Sequence, residues 1–189
     1  MLNEKQFRDR TARELRAIAN QVQGMITDRE LYRRLETMER EMEHANSELA
    51  ANRDALLDLL RGAYVDATTM RLRRLLAHEA SLSIRRTIVH FADYPDLMHD
   101  KINQREIAED ASRLDDTASC LKEQIEPHFV AHERTAGALA PALGELHRAL
   151  DLVTDILKKY YWVVCEGHLD LEPKISGDPV AMFRSSCTK

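Results

Sequence analysis

The sequence predicts an all-α protein, an antiparallel up-and-down bundle of long helices, and three observations carry that prediction. Apolar residues recur at helical spacing through most of the 189-residue chain. Glycine and proline are scarce, at six and five residues, which leaves too few turn-formers for a sandwich or barrel. Aromatic residues make up 5% against 44% hydrophobic overall, so the apolar weight rests on Leu, Ala, Ile and Val. A chain of this length folds as one domain with room for an arm.

The first helix runs from about Glu4 to Val22, with Phe7, Leu15, Ile18 and Val22 at helical spacing, and Gly24 with the Thr27-Asp28 pair ends it. Residues 1–26 are thus an N-terminal arm ahead of a bundle domain at 27–168. Thr27 and Glu30 read as a capping box. From Leu31 the apolar steps alternate four and three through Leu35, Met38, Met42, Ala45, Leu49, Asn52, Leu56, Leu59 and Ala63, a heptad seam interrupted by one Asn. The seam predicts one long helix or a tight antiparallel hairpin, and an intramolecular bundle and a self-associating coiled coil use the same pattern.

Apolar spacing continues through Tyr64, Val65, Leu72 and Leu75. Ser81 is placed to cap a short helix, Leu82 to Phe91, that Asp93-Tyr94-Pro95 stops. A helix over 101–126 turns Ile107, Leu114 and Leu121 inward and an acidic face outward, and Pro127 kinks it or opens a new helix. Pro141 opens the last helix, Ala142 to about Glu166, with Leu146, Leu150, Val153 and Leu157 on one stripe and Gly167 as its stop. Residues 169–189 form an extended or disordered tail.

The formal net charge of −5 is unevenly spread. Residues 62–91 hold five basic against two acidic side chains, and residues 92–134 hold five against eleven. A uniformly basic nucleic-acid binder is excluded, while a local basic patch is not. Cys120, Cys165 and Cys187 form neither a disulfide framework nor a zinc pattern. The N-terminus MLNEKQFRDR has no apolar signal region, and no window reaches eighteen apolar residues. These features predict reduced thiols, a cytoplasmic location and no membrane partner.

Two segments carry chemistry. In Glu126-Pro127-His128-Phe129-Val130-Ala131-His132, the two histidines stand at i and i+4 and share a helix face. That spacing can hold a metal, but the zinc-protease pattern needs Glu after the first His, where Phe129 stands, and no third ligand is near in sequence. No metal and no cofactor are therefore expected. The structural alternative is a helix start with one buried and one exposed His. The second segment is Arg71-Leu72-Arg73-Arg74, followed by His78 and Arg85-Arg86. On a helix, Arg71, Arg74 and His78 form one stripe, and clustered guanidinium forks suit phosphate oxygens. The alternative is a solvated face, or pairing with Glu106, Glu109, Asp110, Asp115 and Asp116. There is no phosphate-binding glycine loop and no GxSxG elbow.

The stretch from Ala63 to Phe91, AYVDATTMRLRRLLAHEASLSIRRTIVHF, resembles the middle of the abortive-infection branch of the HEPN (higher eukaryote and prokaryote nucleotide-binding) helical domains. The shared elements are Arg73-Arg74-Leu75, a polar break, and Ser81-Leu82 opening the next helix. Ala131-His132-Glu133 is similar to the branch's second block, and the resemblance spans roughly residues 30–168. It implies an up-and-down bundle that forms a homodimer, with RNA, an antitoxin or another protein as partner, in phage defence or a toxin–antitoxin system. Active members are metal-independent endoribonucleases that leave 2′,3′-cyclic phosphate ends, with an Arg separated from a following His by four to six intervening residues. His132 matches the His, the general base or acid. The Arg has no match, since the allowed positions are Ile125, Glu126 and Pro127. His128, or Arg73, Arg74 or Arg134 from the same or a second subunit, would have to supply the positive charge. The competing class of function is a non-enzymatic helical adaptor or oligomerisation protein whose seam at 31–63 binds a partner helix.

Overall fold

The structure, a computed structural model, describes residues 4–42, 50–94, 101–130 and 136–175. These residues form five helices: α1 (Glu4–Met42), α2 (Ala50–Leu76), α3 (Ile84–Ala92), α4 (Gln104–Val130) and α5 (Ala136–Cys165), with no strand among them. Cross-helix pairs fix the directions. Arg8 reaches Glu166 while Arg29 reaches Asp151, so α1 and α5 are antiparallel. Arg61 reaches Glu39 and Arg71 reaches Asp28, so α2 returns along α1. Cys120 lies beside Glu145 and Lys159 beside Asp110, so α4 and α5 are antiparallel. After a break at 77–83, α3 continues in the direction of α2, with Thr87 beside Glu14 and Phe91 against Phe7. The α2–α3 rod, α1, α4 and α5 thus make an all-α antiparallel up-and-down bundle.

Its core follows the stripes read from the sequence. Leu15, Ile18, Leu72, Leu114, Leu150 and Leu157 are fully enclosed, each contributing about 2 kcal/mol of hydrophobic stabilisation. Tyr160 is equally enclosed and stacks on Phe91 with ring centroids 5.3 Å apart.

The first helix departs from expectation, because α1 passes through Gly24 and Thr27 without a break. Met25 and Ile26 are buried on the same face as Val22, and continuing that stripe outweighs the cost of about 1 kcal/mol for one helical glycine. Thr27 is therefore not an N-cap. Its hydroxyl donates back to the Gln23 carbonyl at 3.0 Å, the usual way a Thr is accommodated inside a helix. Residues 4–26 belong to the core rather than to a separate arm.

Helix ends differ from the predicted ones for local reasons. Ser83, not Ser81, caps α3: its backbone is extended and its hydroxyl accepts from the Arg86 amide at 3.2 Å. The α4 helix opens on a reciprocal box in which Asn103 Oδ1 accepts from the Glu106 amide and Glu106 Oε2 from the Asn103 amide. It then continues through Pro127 to Val130, and α5 begins at Ala136, so that Pro141 lies inside it rather than at its start. At the end of α5 the left-handed residue is Glu166, with φ 53°, and not Gly167. Arg8 and Lys101 both pair with the Glu166 carboxylate and hold it there. The tail beyond lies along α1, where Leu171 is buried, Gln23 donates to the Glu172 carbonyl, and the Lys174 amide donates to Thr27.

The heptad seam takes the hairpin form, α1 into α2, but not as an internal contact throughout. On α1 Met38 is buried, whereas on α2 Leu56 and Leu59 are 44% and 64% exposed. The core side of α2 is instead Leu57, Tyr64, Val65, Leu72 and Leu75. Both sides of this helix are apolar, and the core takes the stripe that stays apolar to the helix end. The seam side runs into Arg74.

Candidate anion-binding groove

The end of α2 and the middle of α1 enclose an open groove of about 880 Å³. Arg71, Arg73 and Arg74 line one wall, and Asn20, Gln21 and Gly24 line the other. The elements explain the placement. Leu72, Leu75 and Leu76 point into the core, so helical geometry turns the residues between them outward. Gly24 removes a side chain where α1 passes α2, and a Cβ built there meets nothing nearer than Arg71 Nη1 at 3.9 Å. Arg71 pairs with Asp28 across the groove yet keeps 46% of its side chain exposed. Arg73 and Arg74 are exposed. Asn20 and Gln21 add amide groups that both donate and accept.

The rest of the basic run is committed elsewhere. Arg85 grips Asp115 on α4 with two 2.9 Å bonds, and His78 reaches the same carboxylate at 3.1 Å. Arg85 holds the Asp115 carboxyl below its ordinary range. Arg86 bonds the Ser81 carbonyl. The stripe predicted for Arg71, Arg74 and His78 therefore divides: Arg71 faces α1, and His78 is drawn to α4. Of the acidic residues proposed to neutralise the patch, Asp110 pairs with Lys159 and Arg113, and Glu109 with Arg105.

The predicted histidine pair falls largely outside the described residues. The backbone of His128 is helical in α4, its side chain lies outside the described residues, and so do His132 and Arg134 entirely. Thirteen residues along α4 separate His128 from Asp115, about 20 Å of helix. His78, one turn beyond Arg74, pairs at the level of Asp115. Within one copy, the arginines and the His128 end of α4 are not brought into one cleft. No group of three or more His, Cys, Asp or Glu is arranged to hold a metal among the described residues.

No family model, no curated protein and no solved structure matches the chain.

Two polar clusters escape a reading of the sequence alone. Tyr32 and Tyr64 stack with centroids 4.7 Å apart, and Tyr64 Oη lies 3.0 Å from His147 Nε2. Burial pushes the Tyr64 hydroxyl up to about 12, and burial with Arg29 and Arg33 pushes His147 below its ordinary value. The second cluster is Asp110, 5% exposed, whose Oδ2 accepts from Lys159 Nζ at 2.8 Å beside Tyr160. Tyr64 and His147 are 83 residues apart, and Asp110 and Lys159 are 49 apart; nothing in local spacing joins them. The Asn103-Glu106 box, by contrast, had a readable signal, an Asn three residues before a Glu at a helix start.

Proposed function

We propose that the chain is a cytoplasmic HEPN-like helical protein that holds RNA by its phosphate backbone in the groove between α1 and α2. The observation that carries this reading is the lining of one open groove by Arg71, Arg73 and Arg74. Each guanidinium offers a planar fork to two phosphate oxygens. Asn20 and Gln21, on the facing wall, suit sugar and base edges. The resemblance to the abortive-infection branch supports RNA as the polyanion. In that reading His132, with His128, supplies the acid–base group. The ribose 2′-OH loses its proton and attacks the neighbouring phosphorus, the 5′-oxygen leaves with a proton, and a 2′,3′-cyclic phosphate remains.

The test is fluorescence anisotropy with a labelled 20-nucleotide single-stranded RNA at several salt concentrations. Three phosphate contacts give a slope near −2 in log affinity against log salt, so a threefold rise in salt weakens binding by about tenfold. Changing Arg71, Arg73 and Arg74 to Ala removes most of that slope. Binding that is unchanged in the triple variant sinks the groove as the RNA site. Cleavage of the same RNA in EDTA, compared with His132→Ala, reads the catalytic part separately.

A further inference from the structure

A second cavity lies between the first turns of α1 and the end of α3, and it shares no lining residue with the arginine groove. Its volume is about 140 Å³, well under the roughly 300 Å³ at which sites for drug-sized ligands begin. At ~30 Å³ per water it holds about five waters, so an occupant has only a few heavy atoms.

Charges of both signs line it. Arg10 and Glu14 stand one turn apart on α1, and Arg10 Nε donates to Glu14 Oε1 at 3.0 Å. That bond leaves the two Nη groups of the fork to other acceptors. Glu14 keeps only 18% of its side chain exposed, and its second oxygen is short of a donor. Thr87 Oγ1 lies 3.4 Å from Glu14 Oε2, but its single proton goes to the Ser83 carbonyl at 2.8 Å. The Asp93 carboxylate also lines the cavity and finds no donor among the described residues. Asp93 is the C-cap of α3, where the helix dipole is negative and an acidic side chain is unfavourable. Phe7 and Tyr94, stacked with centroids 4.0 Å apart, supply an apolar lining, and His90 adds an imidazole.

We propose that this cavity binds a small free α-amino acid. Its ammonium group sits between Glu14 and Asp93, its carboxylate on the Arg10 Nη groups, and its side chain against Phe7 and Tyr94. An ammonium brings three donors to two carboxylates that lack them. It also offsets the repulsion between Asp93 and the end of α3, and it is attracted to aromatic rings. The ligand carboxylate matches the planar guanidinium fork. A simple amine leaves that fork unused, and a simple carboxylate meets two others. An α-amino acid carries both charges on one carbon, as the Arg10–Glu14 pair presents both within one helical turn. The occupant joins α1 to α3, so binding stabilises the fold.

The proposal goes beyond RNA binding, and its test contains no nucleic acid, so either can fail alone. Thermal melts of the full chain are recorded with glycine, L-alanine, L-serine, L-threonine and L-valine, each up to about 50 mM. The expected result is a saturable rise of a few degrees with at least one of them. Propionate and ethylamine, each lacking one of the two charges, are expected to need at least about tenfold more to match it. Asp93→Asn is expected to leave the free protein as stable as wild type or more so, yet to weaken binding about tenfold or more. Arg10→Gln is expected to weaken it similarly; should that variant lose helicity, Arg10→Lys, which keeps the charge and loses the fork, takes its place. No saturable rise with any of the five amino acids overturns the proposal, as does propionate or ethylamine acting equally well. Folded variants that bind like wild type overturn the assignment to this cavity.

Discussion

Arg85 on α3 and Asp115 on α4 form a two-pronged ion pair, Nε to Oδ1 and Nη2 to Oδ2, both 2.9 Å. It is the clamp that fixes the short helix after the 77–83 break, and it withdraws Arg85 from the basic patch. Arg85→Lys keeps the charge and loses the fork. Asp115 is 40% exposed on its side chain, so the expected loss is only ~1 kcal/mol, read as a melting point lower by a few degrees. The sign with pH follows from the lowered Asp115 carboxyl: the contribution is complete above the unfolded carboxyl range near pH 4 and is lost as the pH falls through the lower folded value. A variant as stable as wild type at pH 7 would show that the fork adds nothing beyond a single ion pair.

Gly24 offers a change with two separable readouts. A Cβ there meets only Arg71 Nη1 at an ordinary 3.9 Å, and the residue is deep in α1. Gly24→Ala should therefore stabilise the fold by ~0.5–1 kcal/mol. Gly24→Glu places a carboxylate on the groove wall facing three arginines, and should cut RNA affinity at least tenfold while the helical circular dichroism is retained. Loss of stability in the Ala variant would show that the α1–α2 approach is tighter than 3.9 Å.

His147 makes the fold sensitive to mild acid. Burial, then Arg29 and Arg33, hold its folded pKa below the ordinary value of 6.5. In the window below 6.5 the unfolded chain binds the extra proton, so stability is full above that value and declines as the pH falls toward the folded pKa. Thermal melts at pH 7 and pH 5 should show a drop for wild type and a smaller drop for His147→Gln, whose amide can still bond Tyr64. Equal drops would place the acid sensitivity elsewhere.

Among the described residues, Asp110 is the one nearly buried carboxylate of the α4–α5 contact, held by Lys159 at 2.8 Å and Arg113 at 3.4 Å. Asp110→Ala leaves Lys159 facing Tyr160 and the core edge. Lys159 keeps 34% of its side chain in water, so the expected loss is ~2 kcal/mol rather than the larger cost of a fully buried orphan. Denaturant unfolding, with the slope unchanged, measures it.

How much of this was legible before folding varies by element. The stripes of α4 and α5 could be read directly, because Leu114, Leu121, Leu150 and Leu157 repeat at helical spacing and are buried accordingly. Helix ends were less legible. Gly24 and Thr27 are strong local stop signals, but the burial of Met25 and Ile26 outweighs them, and Ser81 lost the capping role to Ser83 two residues on. For the candidate site, Arg71, Arg73 and Arg74 were visible as residues of suitable chemistry. Their opposite wall, Asn20, Gln21 and Gly24, carries no pattern at all and lies some fifty residues away in the chain.

Local sequence was enough to establish that the chain is helical, which stripes are apolar, and that Arg71, Arg73 and Arg74 stand together in one short run. Helical periodicity and charge are properties of neighbours three or four positions apart, so they survive without any knowledge of the fold. Tertiary packing settled which of the two apolar sides of α2 becomes core, that Arg85 is taken up by Asp115, and that a groove opens beside Arg71, Arg73 and Arg74. Those outcomes depend on residues far apart in sequence competing for the same space and the same partners, and only close packing resolves that competition.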